Sequence, residues 1–583
     1  MGRTDNQIKL RGLRIELSEI ENAVLKVQGM EKAVIIIRKI NGKEHLCAYY
    51  TSDREITPEA LKAEISRHLT HYMVPTAYMQ LESMPMTPNG KTDIKALPEP
   101  ILATSSAYEE PRNGTEETFC RIFARILQLD KVGALDNFFE QGGTSLLVTQ
   151  LIIETNREGL DITYGDVFRH PTPRMLANLA NGDKESAEDA QAKDYDYSAI
   201  NRVLEDNCMQ AFRQGEREAL GNVLVTGTTG YLGIHILKEL IASDIRQIYC
   251  LVRGDSITTA KQRLKTLLFY YFSEDYAHLF DERINIVLGD VTQPIDEDLP
   301  VDTIFNCAAV VKHFAEGTFI EDVNIGGAKH CVDFCLKKKA RLIHISTAST
   351  RGLSVNGIPA SNEVFSEKSL YMGQFLGNKY IHSKFLAERL ILDAVATKGL
   401  RAKIMRVGNL SARSTDGEFQ INFSTNSFMG RIRVYNMLGC FPHDLRTSPV
   451  EFSPIDEVAR AIILLSQTPK ECCVFHPYNI HTQFMGDVLK VLEPITRGLE
   501  FVEMEEFDNA MEQAKNDPAK AQILASLLAY ENMAHGQKTS DVKRSNDYTT
   551  QVLFRLGFNW STTSMDYVER MLKAIAGLGF FDV

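Results

Sequence analysis

Apolar residues recur at intervals of three and four through residues 113–182, in runs such as "TEETFCRIFARILQL" and "SLLVTQLIIETNRE". That spacing puts them on one face of a helix and predicts a small bundle of four helices. From residue 221 the rhythm changes to short β-rich runs: "NVLVTG", "QIYCLVR", "INIVLGD", "DTIFNCAA", "RLIHIST" and "AKIMRVG". Helical stretches separate them, which predicts an α/β, doubly wound, parallel sheet of the Rossmann type over residues 221–406. Residues 407–583 read as mostly helical and irregular, and are expected to cover the open end of that sheet as a substrate lobe. Residues 1–98 mix strand runs ("AVIIIRK", "HLCAYYTS") with one helix, "TPEALKAEISRHL", whose Thr57 and Pro58 suit the cap and first turn. They predict a small α+β subdomain.

Two polar stretches divide these blocks. Residues 98–114, rich in proline, serine and glutamate, read as a linker. In residues 183–196, "DKESAEDAQAKDYD", acids far outnumber lysines, and the stretch is expected to be solvated and mobile. A chain of 583 residues exceeds what one hydrophobic core sustains, which agrees with several domains.

Charge and cysteine usage narrow the function classes. The net charge is −12 and no basic block is interleaved with aromatics, so nucleic acid is not an expected partner. Apolar runs fall well short of the roughly 20 residues of a membrane span, and the first residues lack a signal core, so a cytoplasmic protein without a membrane partner is expected. Ten cysteines without regular spacing fit buried free thiols. Cys331 with Cys335, and Cys472 with Cys473, lack further ligands at zinc-site spacing, so no metal is expected.

In "NVLVTGTTGYLGIHILKEL" an apolar strand runs into Gly227, Gly230 and Gly233 and a helix follows. Glycines there allow a tight turn and close approach of phosphate oxygens to the helix N-terminus, where the dipole favours negative charge. The next strand ends in "CLVRGDS", which places Arg253 where an NAD-selective site usually carries an acid. The guanidinium fork suits a 2′-phosphate, so NADPH is favoured over NADH. Arg263 in the following helix is either a second contact or a solvated arginine, and Asp255, turned inward, would reverse the preference.

"NKYIHSKFLAERL" sets Tyr380 and Lys384 four residues apart on one helix face, and in "HISTAST" Thr347 ends a strand at the edge where such sheets bind ligands. A free tyrosine titrates near ~10, and a close ammonium favours its phenolate, so Lys384 would make Tyr380 a usable acid. Thr347 would donate a hydrogen bond to an oxygen on which charge builds. In "FFEQGGTSLLV", Ser145 stands behind two glycines at the head of an apolar run. Taken alone, it reads as a turn in which Thr144 or Ser145 caps a helix.

Together "TGTTGYLG", Thr347 and "YIHSK" resemble the extended short-chain dehydrogenase/reductases, and specifically the thioester reductase domain that ends some nonribosomal peptide synthetases. The resemblance covers roughly residues 199–583. It implies NADPH contacts from Gly227, Thr229, Gly230, Tyr231, Gly233, Arg253 and Arg263. Further contacts would come from Asp290 and Val291 in "GDVTQP", from Ala308 in "NCAAVVKHF", and from Tyr380 and Lys384. Thr347, Tyr380 and Lys384 would be catalytic.

"DNFFEQGGTSLL" resembles the attachment motif of peptidyl carrier proteins, which makes residues 113–182 a carrier and Ser145 the bearer of a 4′-phosphopantetheine arm. "GRTDNQIKLRGLRIELSEIE" and "PMTPNGKTDIKALP" are similar to the C-terminal subdomain of amino-acid adenylation domains, with Asp5 at the hinge and Lys91 reaching the acyl-adenylate. The adenylation core is absent before residue 1, so the chain reads as an excised piece whose partners are that core, upstream synthetase modules and a phosphopantetheinyl transferase. The expected activity is reductive release of a peptidyl or aminoacyl thioester from the chain's own carrier, giving an aldehyde or, after a second hydride, an alcohol. An α-aminoadipate-type carboxylic acid reductase, or a non-redox cyclising release domain, are the alternatives.

Overall fold

The computed structural model describes residues 7–10, 13–40, 43–65, 73–75, 77–87, 92–99, 108–143, 145–160, 162, 164–180, 192–209, 217–311, 318–376, 379–421, 423, 426–492, 498–515, 517, 520, 523–524, 539–577 and 580–581. The chain forms two compact units, one holding most of residues 1–182 and the other most of residues 183–583.

In the first unit, strands Met30–Ile40 and Lys43–Ser52 pair antiparallel, and Ala77–Gln80 adds in parallel. Alternate residues of these strands face the helices Leu17–Leu25 and Pro58–Ile65 and bury Ile35, Leu46, Ala48 and Tyr50 against Ile20, Val24, Leu61 and Ile65. This is the expected α+β subdomain. Four helices follow: Gly114–Leu127, Ser145–Arg157, Tyr164–Arg169 and Pro173–Ala180. The apolar stripe of the first buries Phe119, Ile122, Phe123 and Leu127, and the Phe123 ring meets Phe138 edge-on at 4.9 Å. Residues 108–114, read from composition as linker, are held by this bundle: Ala134 donates to the Glu109 carbonyl at 2.8 Å, and the Arg174 guanidinium reaches the Glu109 carboxylate at 2.5 Å.

The second unit is built on a seven-stranded parallel sheet: β1 (Val223–Thr226), β2 (Ile248–Val252), β3 (Ile284–Leu288), β4 (Thr303–Asn306), β5 (Arg341–Thr347), β6 (Arg401–Val407) and β7 (Val474–Phe475). Its order is β7-β6-β5-β4-β1-β2-β3. The central strands β1, β4 and β5 are buried along their whole length. The chain leaves β1 through α1 (Tyr231–Ala242) and β2 through α2 (Ile257–Phe272), while α3 (Gly327–Lys338) precedes β5 and α4 (Lys379–Lys398) precedes β6. Strand order reverses between β1 and β4, and in such sheets ligands bind at that point, outside the carboxyl ends of the strands.

The sheet does not end at residue 406. Helix α5 (Ile455–Ser466) packs on α1, and β7 adds to β6 in a stretch that reads as part of the irregular lobe. A strand of two residues carries no periodicity to be read. The lobe has its own core, where Ile432, Tyr435, Phe441, Phe452, Tyr567 and Leu572 meet. Residues 192–196, the described end of the acid-rich stretch, also depart from expectation. Ala192 is buried, Tyr195 and Tyr197 pack against α4, and helix Ser198–Met209 follows with Ile200 and Leu204 buried. Two tyrosine rings supply apolar area that the acid-rich composition obscures. The nine described cysteines are free thiols, eight of them buried and Cys307 half-buried. Among the described residues no helix is long and apolar enough to cross a membrane.

Candidate active site

Two of the three glycines after β1 are required by a close approach. Gly227 has φ +68°, and a Cβ on it would lie 2.7 Å from the Ala308 nitrogen, while one on Gly233 would strike the Gly227 carbonyl. Gly230 is the N-cap of α1 and makes no side-chain cap bond. Thr228 is fully buried in the loop, and its hydroxyl finds no partner among the described residues. A tight, glycine-lined turn at an uncapped helix start is a cradle for a dinucleotide's phosphates, so these residues fit the group. Thr229 is half-buried in this turn. The Tyr231 hydroxyl instead donates to the Ser411 carbonyl at 3.0 Å, and burial raises its pKa well above the usual phenol value. What Tyr231 has left to offer a phosphate is its backbone N–H. We expect Gly233→Ala to destabilise the domain by about 1–3 kcal/mol through overpacking. A fluorescence titration should show weakened NADPH binding in the same protein.

Arg253 follows β2 with its side chain 68% exposed, and its guanidinium stands 3.9 Å from the Asp290 carboxylate. The other Asp290 oxygen accepts from the backbone and hydroxyl of Thr292, both at 2.9 Å. Beside Asp290 lies a cavity of about 110 Å³ lined by Leu251, Leu288, Gly289, Gln293 and Ile295, apolar walls next to a carboxylate. Val291 is buried, and its carbonyl meets His330 Nδ1 at 3.0 Å. Asp255 and Arg263 are both exposed.

Thr347 ends β5, as expected. Its Oγ1 accepts from the Ser349 backbone at 3.1 Å, and a hydroxyl that accepts one such bond still has a proton to donate. Tyr380 is the second residue of α4 and half-buried. One turn on, Lys384 is buried and its Nζ donates to the Ile345 carbonyl at 2.8 Å, two residues before Thr347. The fold thus holds Lys384 near the carboxyl end of β5, one turn after Tyr380 on the same helix. Burial pushes the Lys384 ammonium down to about 8, opposed by the Glu388 carboxylate one further turn along.

Motif reading missed the residues that hold these elements in place. Glu388 is fully buried and takes three hydrogen bonds from Arg406 of β6, between 2.6 and 3.1 Å, and one from Ser346 of β5. Helix α4 is thereby fixed to the two strands beneath it. Asn324 lies in a π-helical turn, Asp322–Gly326, that leads into α3. Its carboxamide accepts from the Val310 backbone at 2.8 Å, and donates to the Val310 carbonyl at 3.0 Å and the Ser383 hydroxyl at 2.9 Å. It ties the loop after β4 to α4. In register on β1, β4 and β5, Thr226 donates to Asn306 at 2.8 Å, and Asn306 meets His344 Nδ1 at 3.2 Å. The Ala308 nitrogen in turn donates to the Thr226 hydroxyl at 3.2 Å, so this polar line positions the residue against which Gly227 packs.

In the first unit Ser145 begins the helix Ser145–Arg157. The loop before it is set by Gly142, at φ +98°, and by Gly143, whose nitrogen donates to the Phe138 carbonyl at 2.8 Å and where a Cβ would strike the Phe138 ring. Asp5 and Lys91 lie outside the described residues.

A solved thiolation-reductase di-domain from an archaeal non-ribosomal peptide synthetase is 38% identical to this chain, with a TM-score of 0.71, and the match covers 82% of this chain and 100% of that one. The chain belongs to the thiolation-reductase family of non-ribosomal peptide synthetases. Within it, the NAD-binding family described as male sterility protein matches residues 225–462, the phosphopantetheine attachment site family residues 117–180, and the C-terminal domain of AMP-binding enzymes residues 19–91. The reductase part is accordingly an NAD(P)-binding domain joined to a carrier and to a piece of an adenylation domain. The aureusimine biosynthetic cluster reductase domain is 26% identical with a TM-score of 0.57, covering 66% of this thiolation-reductase chain and 98% of that domain. A linear gramicidin synthase from Brevibacillus parabrevis is 30% identical over 99% of this chain. The chain spans only 12% of that relative's length and 18% of the isonitrile lipopeptide synthase of Mycobacterium tuberculosis.

Proposed function

We propose that this chain releases an acyl or peptidyl group from its own carrier by NADPH-dependent reduction of the thioester. On this reading residues 1–98 are an adenylation subdomain, residues 113–182 the carrier with its arm on Ser145, and residues 199–583 the reductase. The observation that supports it is the hydrogen bond from Lys384 Nζ, one turn after Tyr380 on α4, to the Ile345 carbonyl, two residues before Thr347 ends β5, in a domain whose first strand runs into a glycine turn with no side-chain cap.

Gly227, Gly230, Gly233 and the first N–H groups of α1 would hold the pyrophosphate. Asp290 with Val291 would take the adenine side, Arg253 the 2′-phosphate, and Lys384 the nicotinamide ribose. A reduced nicotinamide, when bound there, would supply a hydride to the thioester carbon. Thr347 donates a hydrogen bond to the carbonyl oxygen, and Tyr380 donates both a hydrogen bond and the proton that oxygen takes up. The product of that step is a thiohemiacetal. Its C–S bond then breaks, the pantetheine thiol leaves on the carrier, and an aldehyde departs. A second turn of the same chemistry gives the alcohol.

The upstream synthetase supplies the acyl chain, and a phosphopantetheinyl transferase installs the arm. The L-2-aminoadipate reductase large subunit of Penicillium chrysogenum is 27% identical over 88% of this chain, so a small amino-acyl substrate is a second reading of the same site. Loading Ser145 with a defined acyl pantetheine, adding NADPH and weighing the product decides reaction class and extent. Loss of the thioester without NADPH oxidation would refute reduction.

Cofactor choice has a separate test. Arg253→Ala should weaken NADPH binding while leaving NADH binding nearly unchanged, because only NADPH carries the 2′-phosphate. A charge-assisted contact is worth roughly 1.5–3 kcal/mol, so the preference should shrink by about tenfold or more. Equal losses for both cofactors in paired titrations would give Arg253 a structural role.

A further inference from the structure

The end of the acid-rich connector is docked. The Tyr195 and Tyr197 rings touch, with centroids 4.9 Å apart. The Arg389 guanidinium stands 4.6 Å from the Tyr195 ring centre, and the Tyr195 hydroxyl donates to Asp393 Oδ1 at 3.1 Å. Tyr197 stacks on Tyr371 at 5.3 Å with the planes 21° apart, and Tyr371 in turn meets Phe385. The Tyr197 hydroxyl donates to the Ala192 carbonyl at 2.8 Å, and burial pushes it up to about 12, so it stays a neutral donor. Ala192, Ile200 and Leu204 are buried alongside. Arg389 lies nine residues after Tyr380 on α4, half a turn around a helix of 3.6 residues per turn. The cluster therefore grips the back of the helix whose front carries Tyr380 and Lys384.

We propose that Tyr195, Tyr197 and the helix behind them are a tether anchor. They fix the chain arriving from the carrier onto the back of α4 and shorten the connection over which a carrier-bound thioester must be delivered. This rests on the reading of reductive release given above. The carrier's last helix ends at Ala180 and the docked segment begins at Ala192, so about 11 residues join them; if everything before Arg217 came free, about 36 would. Effective concentration falls roughly as the −3/2 power of tether length, which makes the anchor worth about sixfold in delivery. A thioester arriving from solution gains nothing from it.

The test is a Tyr195→Ala, Tyr197→Ala, Leu204→Ser protein, compared with its parent on two substrates. With an acyl pantetheine on Ser145, single-turnover NADPH oxidation should slow about sixfold, while the rate on a free acyl pantetheine thioester stays within about twofold. Trypsin should also cut the variant at Arg202, and small-angle scattering should show a larger maximum dimension. An unchanged rate on the loaded carrier, or equal slowing on both substrates, overturns the proposal. If the parent oxidises no NADPH with either substrate, reductive release itself fails. The anchor then stands or falls on trypsin cleavage and scattering, and an unchanged pattern in both overturns it.

Discussion

Ser145→Ala protein is expected to gain no mass when incubated with coenzyme A and a phosphopantetheinyl transferase, and to lose all NADPH oxidation that depends on the carrier. The arm is joined through a serine hydroxyl, and alanine has none to offer. The carrier should still fold, because the loop before Ser145 is held by Gly142, Gly143 and the Phe138 contacts. Loss of a residue at a helix start costs at most about 1 kcal/mol. The reductase should therefore keep its full rate on a free acyl pantetheine thioester, which separates loss of the handle from loss of the enzyme. Uptake of the arm's mass by the alanine protein would move the attachment to another hydroxyl.

The parts of this molecule that were legible in its sequence are those where one physical demand dominates a short run. Strands β1 and β4 are buried along their whole length, so each is a short, mainly apolar run that can be read without context. The glycine loop is legible because Gly227 and Gly233 answer backbone contacts that any side chain would block. Tyr380 and Lys384 are legible because four residues is one turn of the helix on which they sit.

What could not be read is long-range and polar. Glu388 reads as an ordinary surface residue in the run "FLAERL", and only the fold reveals that Arg406, 18 positions later, meets it where both are fully buried. Asn324 acquires its role from Val310 and Ser383, which no spacing rule connects to it. The same limit explains the connector. Acid count describes residues 183–196 by their average, whereas the partners that capture Tyr195 and Tyr197 lie nearly 200 residues further on, at Asp393 and Tyr371. These polar contacts set the geometry of the site, because removing one partner of a buried ion pair strands the other charge at a cost of about 3–5 kcal/mol.

The most demanding consequence of that geometry concerns Tyr380. Phenylalanine keeps the ring and its packing and removes one hydroxyl, so NADPH affinity should hardly change. The chemical step loses both its proton donor and one oxyanion contact, each worth roughly a hundredfold or more, so turnover of the loaded carrier should fall by at least about that factor. The pH profile adds a second constraint. Lys384 is buried, and its pKa lies at about 8, so its ammonium is present below that value and lost as pH rises through it. An ordinary lysine would keep its charge to about 10.4. At saturating NADPH the parental rate should therefore decline above about pH 8. The residual rate of the Tyr380→Phe protein should lose most of that limb, since the charge acts on the proton donor through the missing hydroxyl. Near-parental NADPH oxidation by Tyr380→Phe would place the proton donor elsewhere along the carboxyl ends of β4 to β6. A declining limb retained in full by the variant would assign the charge of Lys384 to holding the ribose alone.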